Sequence, residues 1–289
     1  MKVRTAVFPV AGLGTRLLPA TKSMPKEMVT LIDRPLIQYA VEEVIAAGVE
    51  RVVFVSARSK RALEDHFDRT PELEYQLQDS GKTEVLAEMQ RLSSMCDITY
   101  VRQKNPLGLG HAVLCAKDVV GKEPFAVILP DDIIMSKKPV TAQLIDNYNK
   151  TGKSVVSLME VPNEDTSKYG IVKLGAEEGS GLYELDGMVE KPKENPPSNM
   201  AIIGRYILTP DVMEALEHTP RGAGGEIQLT DAILDVAVKQ GVYGYLFEGK
   251  RFDCGNMNGL FEAVVHFALE RPDLREHAIN VLKGASKLY

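Results

Sequence analysis

The chain contains no tryptophan and only three cysteines, Cys96, Cys115 and Cys254, none of which lies in a CxxC pair. An odd number of widely spaced cysteines argues against a disulfide framework and against a structural zinc site. No apolar run approaches the roughly 20 residues that a membrane-spanning helix needs. The segment Met1-Lys2-Val3-Arg4 leads into a strand and not into the apolar segment of a signal peptide. These absences predict a protein of the reducing cytoplasm.

An excess of positive charge is also absent. The 289 residues include 34 Lys and Arg against 40 Asp and Glu, which gives a net charge of −6. This balance argues against a general nucleic-acid binder. It does not argue against a nucleotide substrate, because salt screens charges beyond about 8 Å. A cation within about 4 Å of a phosphate still contributes roughly 1 to 4 kcal/mol.

Two common nucleotide-binding motifs are incomplete. Gly12-Leu13-Gly14 begins like GxGxxG, but Leu17 stands at the sixth position, where the dinucleotide fingerprint needs a glycine. Gly81-Lys82-Thr83 and Gly152-Lys153-Ser154 end like a Walker A loop, but glutamine and asparagine replace its first glycine. The second predicted strand ends at Ser56 and not at an acidic residue that could bind the ribose of a dinucleotide. A dehydrogenase is therefore disfavoured.

The segment Val3–Glu27 is the feature around which the rest of the chain is interpreted. An apolar strand is followed by the glycine turn Ala11–Arg16 and then by a loop that carries Lys26. Glycine lets the backbone approach a ligand and present its N–H groups, while Arg16 and Lys26 add positive charge. The pattern predicts a phosphate site; on this fragment alone, a purely structural turn is an equal alternative.

The remaining pattern predicts an α/β fold in a single domain that spans residues 1–289. Strands and helices alternate up to residue 160, which is typical of a parallel sheet covered on both faces. Beyond it, short strands with little helix between them predict an antiparallel extension of the same sheet. Helix is predicted over residues 256–284, with an apolar face that packs either on the sheet or on another subunit. Predicted strands comprise 51–56, 98–103, 125–129, 154–160, 169–172, 182–190, 200–208 and 242–247.

Carboxylates follow two of these strands. Asp131 and Asp132 come directly after the most apolar run, Phe125–Leu129, and Asp253 follows the strand near residue 247. Open α/β sheets bind ligands at the carboxyl ends of their strands, and Mg²⁺ takes one or two carboxylates together with substrate phosphates. The sequence predicts Asp131 as a metal ligand, with Asp253 able to complete the site and Asp132 as a second-rank candidate. A simple turn-forming Asp pair is the alternative.

Six motifs occur in a recognisable order: GLGTRLLPATKSMPKEM, NPLGLGHAV, LPDDI, EKP, GGEIQLTDAI and FDCG. Together they resemble the sugar-nucleotide pyrophosphorylases, nucleotidyltransferases that join a sugar 1-phosphate to a nucleoside triphosphate. The spacing from EKP to FDCG and the insert at 59–94 resemble the uridylyltransferase branch. The resemblance implies a Rossmann-like, GT-A-like mixed sheet. Residues 1–160 would form mainly the nucleotide half, 161–255 the sugar-phosphate half, and 256–289 C-terminal helices with a possible oligomer contact.

The resemblance also implies roles for individual residues. Gln103 and Gly108 would read the uracil edge, because a side-chain amide can donate and accept at once. His111 is interpreted as an ordinary helix residue, and the segment Glu226–Asp231 is expected near the site without an assigned role. The implied groups are nucleotide ligands Ala11, Gly12, Gly14, Gln103 and Gly108; catalytic Arg16, Lys26 and Lys191; sugar-phosphate ligands Gly170, Glu190 and Lys191; and Mg²⁺ ligands Asp131 and Asp253.

The implied reaction converts UTP and α-D-glucose 1-phosphate into UDP-glucose and diphosphate in a Mg²⁺-dependent homo-oligomer that binds neither nucleic acid nor membrane. No general base is needed, because a phosphate monoester is ionised near neutral pH. Two alternatives remain at this point. One is a sister enzyme that uses dTTP or another sugar 1-phosphate, and the other is a non-catalytic module that binds a sugar nucleotide.

Overall fold

A computed structural model describes residues 1–286 of the chain. Residues 287–289, which belong to the predicted C-terminal helical region, lie outside the described residues. The strands are β1 (Thr5–Pro9), β2 (Thr30–Leu31), β3 (Arg34–Pro35), β4 (Arg51–Ser56), β5 (Asp97–Arg102), β6 (Phe125–Ile128), β7 (Asp132–Met135), β8 (Val155–Glu160), β9 (Gly170–Gly179), β10 (Leu182–Glu190), β11 (Met200–Leu208), β12 (Tyr243–Leu246) and β13 (Lys250–Asp253).

The helices flank these strands. They are α1 (Leu36–Ala46), α2 (Arg61–Phe67), α3 (Pro71–Asp79), α4 (Thr83–Ser94), α5 (Leu109–Leu114), α6 (Lys117–Val120), α7 (Val140–Thr151), α8 (Pro210–His218), α9 (Leu229–Gln240), α10 (Met257–Glu270) and α11 (Pro272–Ala285). Helix α8 was not predicted, although Thr209-Pro210 is a recognisable helix start with proline in the first turn. Within residues 1–286, no helix is both long and apolar enough to cross a membrane.

Nine strands form one mixed sheet in the order β5-β4-β1-β6-β11-β8-β12-β10-β9. Strands β5, β4, β1 and β6 are parallel, so their carboxyl ends lie at the same edge. Strand β11 runs antiparallel between β6 and β8. The prediction of a mixed α/β sheet is confirmed. The antiparallel part is not only an extension at one end, because β11 lies inside the sheet, where eight of its nine residues are buried.

Both faces of the sheet are covered, as continuous apolar runs in parallel strands require. Successive side chains of a strand point to opposite faces, and β1 sends Val7 to one core cluster and Phe8 to the other. The cluster around Phe8 is closed by residues of α1 and α7, and the cluster around Val7 by residues of α5, α8 and α9. This packing fixes the loops that follow the parallel strands.

A third, smaller cluster lies beside those loops. Leu17 from the glycine segment, Ile133 from β7 and Phe252 from β13 pack together. Leu260, Val264 and Phe267 of α10 pack against them, so this part of the helix's apolar face contacts its own chain. The stretch predicted as helix over 256–284 is two helices, because Arg271 adopts an extended conformation and Pro272 begins α11.

Candidate functional site

The glycine turn after β1 is shaped around the side chain of Lys26. Gly14 has a left-handed backbone with φ +68°, and a Cβ at that position would lie 2.8 Å from Cβ of Lys26. A Cβ at Gly12 would lie 3.8 Å from Cε of the same lysine. The turn Ala11–Arg16 therefore packs directly on the lysine stem. The sequence-predicted residues Gly12, Gly14 and Lys26 form one structural unit.

The ammonium of Lys26 points at the first predicted metal ligand. Its Nζ donates to Oδ2 of Asp131 at 2.6 Å. Arg16 adds ion pairs at 3.9 Å to Asp131 and 3.8 Å to Asp253. A Cβ on Gly255 would lie 2.7 Å from Oδ2 of Asp131 and 3.0 Å from Oδ1 of Asp253. The two carboxylate oxygens therefore lie close to the same point, although Asp131 and Asp253 are far apart in sequence.

The two charges of the Lys26–Asp131 pair depend on each other. Burial raises the pKa of the Asp131 carboxyl, but the ammonium of Lys26 outweighs it, so that this pKa is lowered overall. Burial likewise lowers the pKa of Lys26, and the Asp131 carboxylate reverses that effect, so that its pKa is raised. Both groups are therefore charged near neutral pH.

The oxygen atoms at this site suit a hard divalent cation that is bound partly by the protein and partly by phosphate oxygens of a ligand. Asp131 and Asp253 offer carboxylate oxygens, the type that Mg²⁺ prefers. Among residues 1–286, no group of three or more His, Cys, Asp or Glu side chains could hold a metal ion. A two-carboxylate site of this kind needs phosphate oxygens to complete it, which is the usual arrangement for Mg²⁺ in nucleotide enzymes.

Asp132 lies next to this site, but both of its carboxylate oxygens are bonded within the protein. Its Oδ1 accepts from Arg251 at 2.6 Å, and its Oδ2 accepts from the backbone N–H of Gly204 at 3.1 Å. Asp132 also lies opposite Asp253 in the β7–β13 ladder. Asp132, the second-rank metal candidate, is thus a buried residue that links β7, β11 and β13. It holds in place Asp131, its neighbour in sequence, and Asp253, its neighbour in the β7–β13 ladder.

A cavity of about 290 Å³ opens beside the carboxylates. The sequence-predicted residues Arg16, Asp131, Asp253, Gly170, Glu190 and Lys191 all line it. Thr230, to which no role was assigned from the sequence, donates to Oε2 of Glu190 at 2.6 Å. This bond orients the Glu190 carboxylate. Lys191 has a left-handed φ of +46° and a largely exposed side chain, an unfavourable backbone for a non-glycine residue that is common at functional sites.

Gln103 and Gly108 lie at the same edge of the sheet but do not line this cavity. Nε2 of Gln103 donates to the carbonyl of Gly108 at 3.1 Å and contacts Nδ1 of His111 at 2.9 Å. The expectation that this amide both donates to and accepts from a ligand needs correction. Both amide hydrogens are used within the chain, so only the carbonyl oxygen remains for a ligand.

Gly108 is required by close packing against the GGEIQ segment. Its φ is +102°, and a Cβ there would lie 2.6 Å from Cβ of Glu226 and 2.9 Å from the carbonyl oxygen of Ile227. The N–H of Ile227 donates to Leu107, and the N–H of Gly110 donates back to Ile227. The segment predicted near the site is therefore bonded to the NPLGLG turn, and Thr230 and Asp231 fall in the first turn of α9.

Sequence reasoning missed two buried ion pairs behind the site. Lys60 lies 2.8 Å from Glu27, the residue after Lys26, and both side chains are almost fully buried. Arg205 pairs with Glu43 at 2.6 Å and also donates to the carbonyl of Leu129, two residues before Asp131. No local pattern marks these pairs, because their members are 33 and 162 positions apart.

The chain is similar to known nucleotidyltransferases over nearly its whole length. The family model described as "Nucleotidyl transferase" matches residues 6–269. A UTP–glucose-1-phosphate uridylyltransferase of Bacillus subtilis (strain 168) is 49% identical over 284 residues, which cover 98% of this chain and 97% of that protein. A second relative of the same name, from Staphylococcus epidermidis, is 50% identical over 276 residues, 95% of this chain and 96% of that protein.

Solved structures give the same result. A UTP-bound UGPase from Acinetobacter baumannii has a TM-score of 0.90 and 42% identity, covering 97% of this chain and 99% of that one. A UDP-glucose pyrophosphorylase complexed with UDP-glucose has a TM-score of 0.86 and 44% identity, and the match covers 93% of this chain and 100% of that one. The geometry of the site, the family model and these relatives lead to one conclusion: the chain belongs to the nucleotidyl transferase family.

Proposed function

We propose that the protein is a UTP–glucose-1-phosphate uridylyltransferase, which converts UTP and α-D-glucose 1-phosphate into UDP-glucose and diphosphate. The observation that carries the proposal is the group formed by Lys26, Asp131, Arg16 and Asp253, of which the last three line the same cavity as Glu190 and Lys191. Cations and metal-binding carboxylates meet there, next to polar groups suited to a sugar phosphate. The relatives of about 50% identity bear the name of this activity.

The reaction brings two anions together, so the protein's main task is to offset their repulsion and align them. A phosphate oxygen of the sugar phosphate attacks the α-phosphorus of UTP in line, and diphosphate leaves. Arg16 and Lys26 hold the leaving diphosphate, and Lys191 orients the attacking phosphate. Asp131 and Asp253 would hold Mg²⁺, which would supply further positive charge to the phosphate oxygens.

The sugar is held on the opposite side of the cavity. Glu190 accepts hydrogen bonds from glucose hydroxyls, and its orientation is fixed by Thr230. The backbone of Gly170 leaves room for the sugar, since a Cβ there would approach Glu190 and Thr230 to 3.1 Å. No side chain needs to act as a general base, because the attacking phosphate is already ionised.

The nucleoside lies toward the parallel half of the sheet. In this proposal, Ala11, Gly12 and Gly14 surround the triphosphate, and Gln103 and Gly108 read the base. Residues 1–160 thus contribute mainly to the nucleotide and 161–255 mainly to the sugar phosphate. The C-terminal helices leave Met257 and Phe261 exposed, and we extend the proposal to a homo-oligomer that covers them.

The test is a panel of nucleoside triphosphates and sugar 1-phosphates read by diphosphate release with Mg²⁺ present. UTP with glucose 1-phosphate should give the highest kcat/KM, and chelation of the metal should abolish release. A higher kcat/KM for dTTP would favour the sister enzyme. Tight UDP-glucose binding without any diphosphate release would favour the non-catalytic module and overturn the proposal.

A further inference from the structure

Gln103 and His111 form a side-chain pair that the proposed function leaves unexplained. Gln103 directly follows β5 and is 7% exposed, and His111 lies in the first turn of α5. Nε2 of Gln103 is 3.1 Å from the Gly108 carbonyl and 2.9 Å from Nδ1 of His111. The Gly108 carbonyl also accepts the N–H of Ala112. A carbonyl oxygen can only accept, so the nitrogen end of the amide must face it.

This orientation leaves a single free function on the amide. Its two hydrogens go to Gly108 and His111, and no donor within residues 1–286 contacts its oxygen Oε1. Oε1 is also absent from the buried, unpartnered side-chain atoms of the described residues, so it remains accessible. The Gln103 amide therefore presents a hydrogen-bond acceptor and no donor.

His111 can hold the amide only while its ring is neutral. Nδ1 accepts a hydrogen bond when the ring proton is on Nε2, and a charged ring would place a donor on both nitrogens. Burial and the positive charge of Arg221 lower the pKa of His111, which keeps the ring neutral near pH 7. The thiol of Cys115, 4.0 Å from each ring nitrogen, is a weak partner that does not displace Gln103.

An acceptor-only group distinguishes two classes of pyrimidine. Uracil and thymine carry a hydrogen on N3, whereas cytosine has a lone pair there. We propose that His111 is a positioning residue that fixes the Gln103 amide with its oxygen toward the base, and so makes the site select a pyrimidine with N3–H over cytosine. The inference rests on the proposed function, in which Gln103 reads the base. It assigns no role to His111 in separating UTP from dTTP.

The experiment compares UTP and CTP binding, by calorimetry, and kcat/KM for both, by diphosphate release, in the full-length protein. His111→Leu removes one of the two acceptors that hold Nε2, so that the amide can turn more easily and present an N–H to cytosine N3. We expect the UTP-to-CTP affinity ratio to fall at least about tenfold, the loss expected when one polar partner is left unpaired. The KM for glucose 1-phosphate should not change. His111→Gln, which restores an acceptor, should recover most of the ratio.

His66→Leu is the matched control. His66 is also a partly buried histidine whose ring contacts a glutamine amide, with Nε2 3.2 Å from Oε1 of Gln38, and it lies outside the site. An unchanged ratio in His111→Leu, or an equal fall in His66→Leu, would overturn the inference. If His111→Leu does not fold, His111→Met makes the same deletion with a more adaptable side chain. Failure of the wild type to bind UTP would instead refute the proposed function.

Discussion

At the scale of single residues, Lys26 has two tasks that exclude each other. Its ammonium is bonded to Asp131, yet the proposed function needs it on the leaving diphosphate. Lys26 thus occupies the carboxylate oxygen that a divalent cation would use. The lysine and the cation compete for Asp131 until phosphates arrive to take the ammonium.

Replacing Lys26 should therefore affect turnover and metal binding in opposite directions. We expect Lys26→Met to lower kcat by about a hundredfold or more, as loss of one charge-stabilising group does. The same variant should bind Mn²⁺ about tenfold more tightly in the absence of nucleotide, because a charge-assisted hydrogen bond to Asp131 no longer competes. Diphosphate release and Mn²⁺ titration measure the two effects.

Lys22→Met provides the control, because Lys22 is an exposed lysine in the same loop. It should leave Mn²⁺ affinity unchanged. If Mn²⁺ bound Lys26→Met no better than the wild type, the competition would be ruled out even if activity were lost.

The neighbouring aspartates Asp131 and Asp132 should behave differently when each is changed to asparagine. Asp131→Asn should abolish metal-dependent turnover with a smaller effect on folding, since the side chain of its partner Lys26 is 19% exposed and that of Arg251, the partner of Asp132, only 8%. Asp132→Asn should lower the free energy of unfolding by about 3 kcal/mol, because it removes the nearer charge partner of the buried Arg251 and leaves only Asp253 at 3.8 Å. Urea unfolding and diphosphate release separate the two outcomes. Equal effects of both changes on either measurement would contradict the assignment.

At the scale of secondary-structure elements, α10 positions Asp253 by packing its first turn on the end of β13. A Cβ on Gly259 would lie 2.1 Å from the carbonyl oxygen of Asp253, which is backbone and cannot move aside easily. Asn256 caps the helix by accepting the N–H of Gly259. The close approach of the helix therefore depends on the glycine.

Two glycines in the C-terminal helices should respond to alanine with opposite signs. Gly259→Ala should push α10 away from β13 and reduce both the melting temperature and kcat. Gly284 in α11 has no heavy atom within 4 Å of its would-be Cβ, so Gly284→Ala should stabilise the protein by about 0.5 to 1 kcal/mol through helix propensity. Thermal unfolding and diphosphate release provide the measurements. Stabilisation by both substitutions would show that α10 does not constrain Asp253.

The buried pair between α1 and β11 gives a prediction on pH. Burial raises the pKa of Glu43, but Arg205 more than compensates, so that its pKa in the folded chain lies below the ordinary value of 4.5. A lowered carboxyl pKa stabilises the fold above the unfolded pKa, and this contribution is lost as the pH falls through the folded one. The free energy of unfolding should therefore fall below about pH 4.5.

Glu43→Gln should remove the part of the acid dependence that Glu43 contributes. It should also lower the free energy of unfolding by about 3 kcal/mol at pH 7, because Arg205 would be buried without a counter-charge. The control is Asp235→Asn, which breaks an exposed ion pair with Lys239 within one helix. It should lower the free energy of unfolding by only about 0.3 to 0.5 kcal/mol. Urea unfolding between pH 3.5 and 7 is the measurement. An acid slope of Glu43→Gln equal to that of the wild type would refute the assignment.

Elements with continuous burial were predicted most accurately. Strands β4 and β11, which are buried along nearly their whole length, have the predicted bounds, because a run such as RVVFVS fits few environments except a buried strand. Strand β10 also has the predicted bounds, although only three of its nine residues are buried. The position of β11 between β6 and β8 was not predictable, since a strand's own pattern says nothing about its neighbours. The break between α10 and α11 was missed, although Pro272 marks it.

At the scale of the whole molecule, the motifs predicted which residues come together but not how they are held. Arg16, Asp131 and Asp253 lie at one cavity, as the strand-end rule suggested. The supports behind them, Lys60 on Glu27 and Arg205 on Glu43, were not predicted. Charged residues are frequent along any chain, and only the folded structure shows which two share a buried space.

The ladder between β7 and β13 also bears on how a newly made chain gains its activity. The first proposed metal ligand, Asp131, is synthesised well before its partner Asp253. Translation products that stop before β13 would lack half of that pair, however well their amino-terminal sheet has folded. Product formation would thus begin only after β13 has been made, and catalysis would report that both carboxylates are in place.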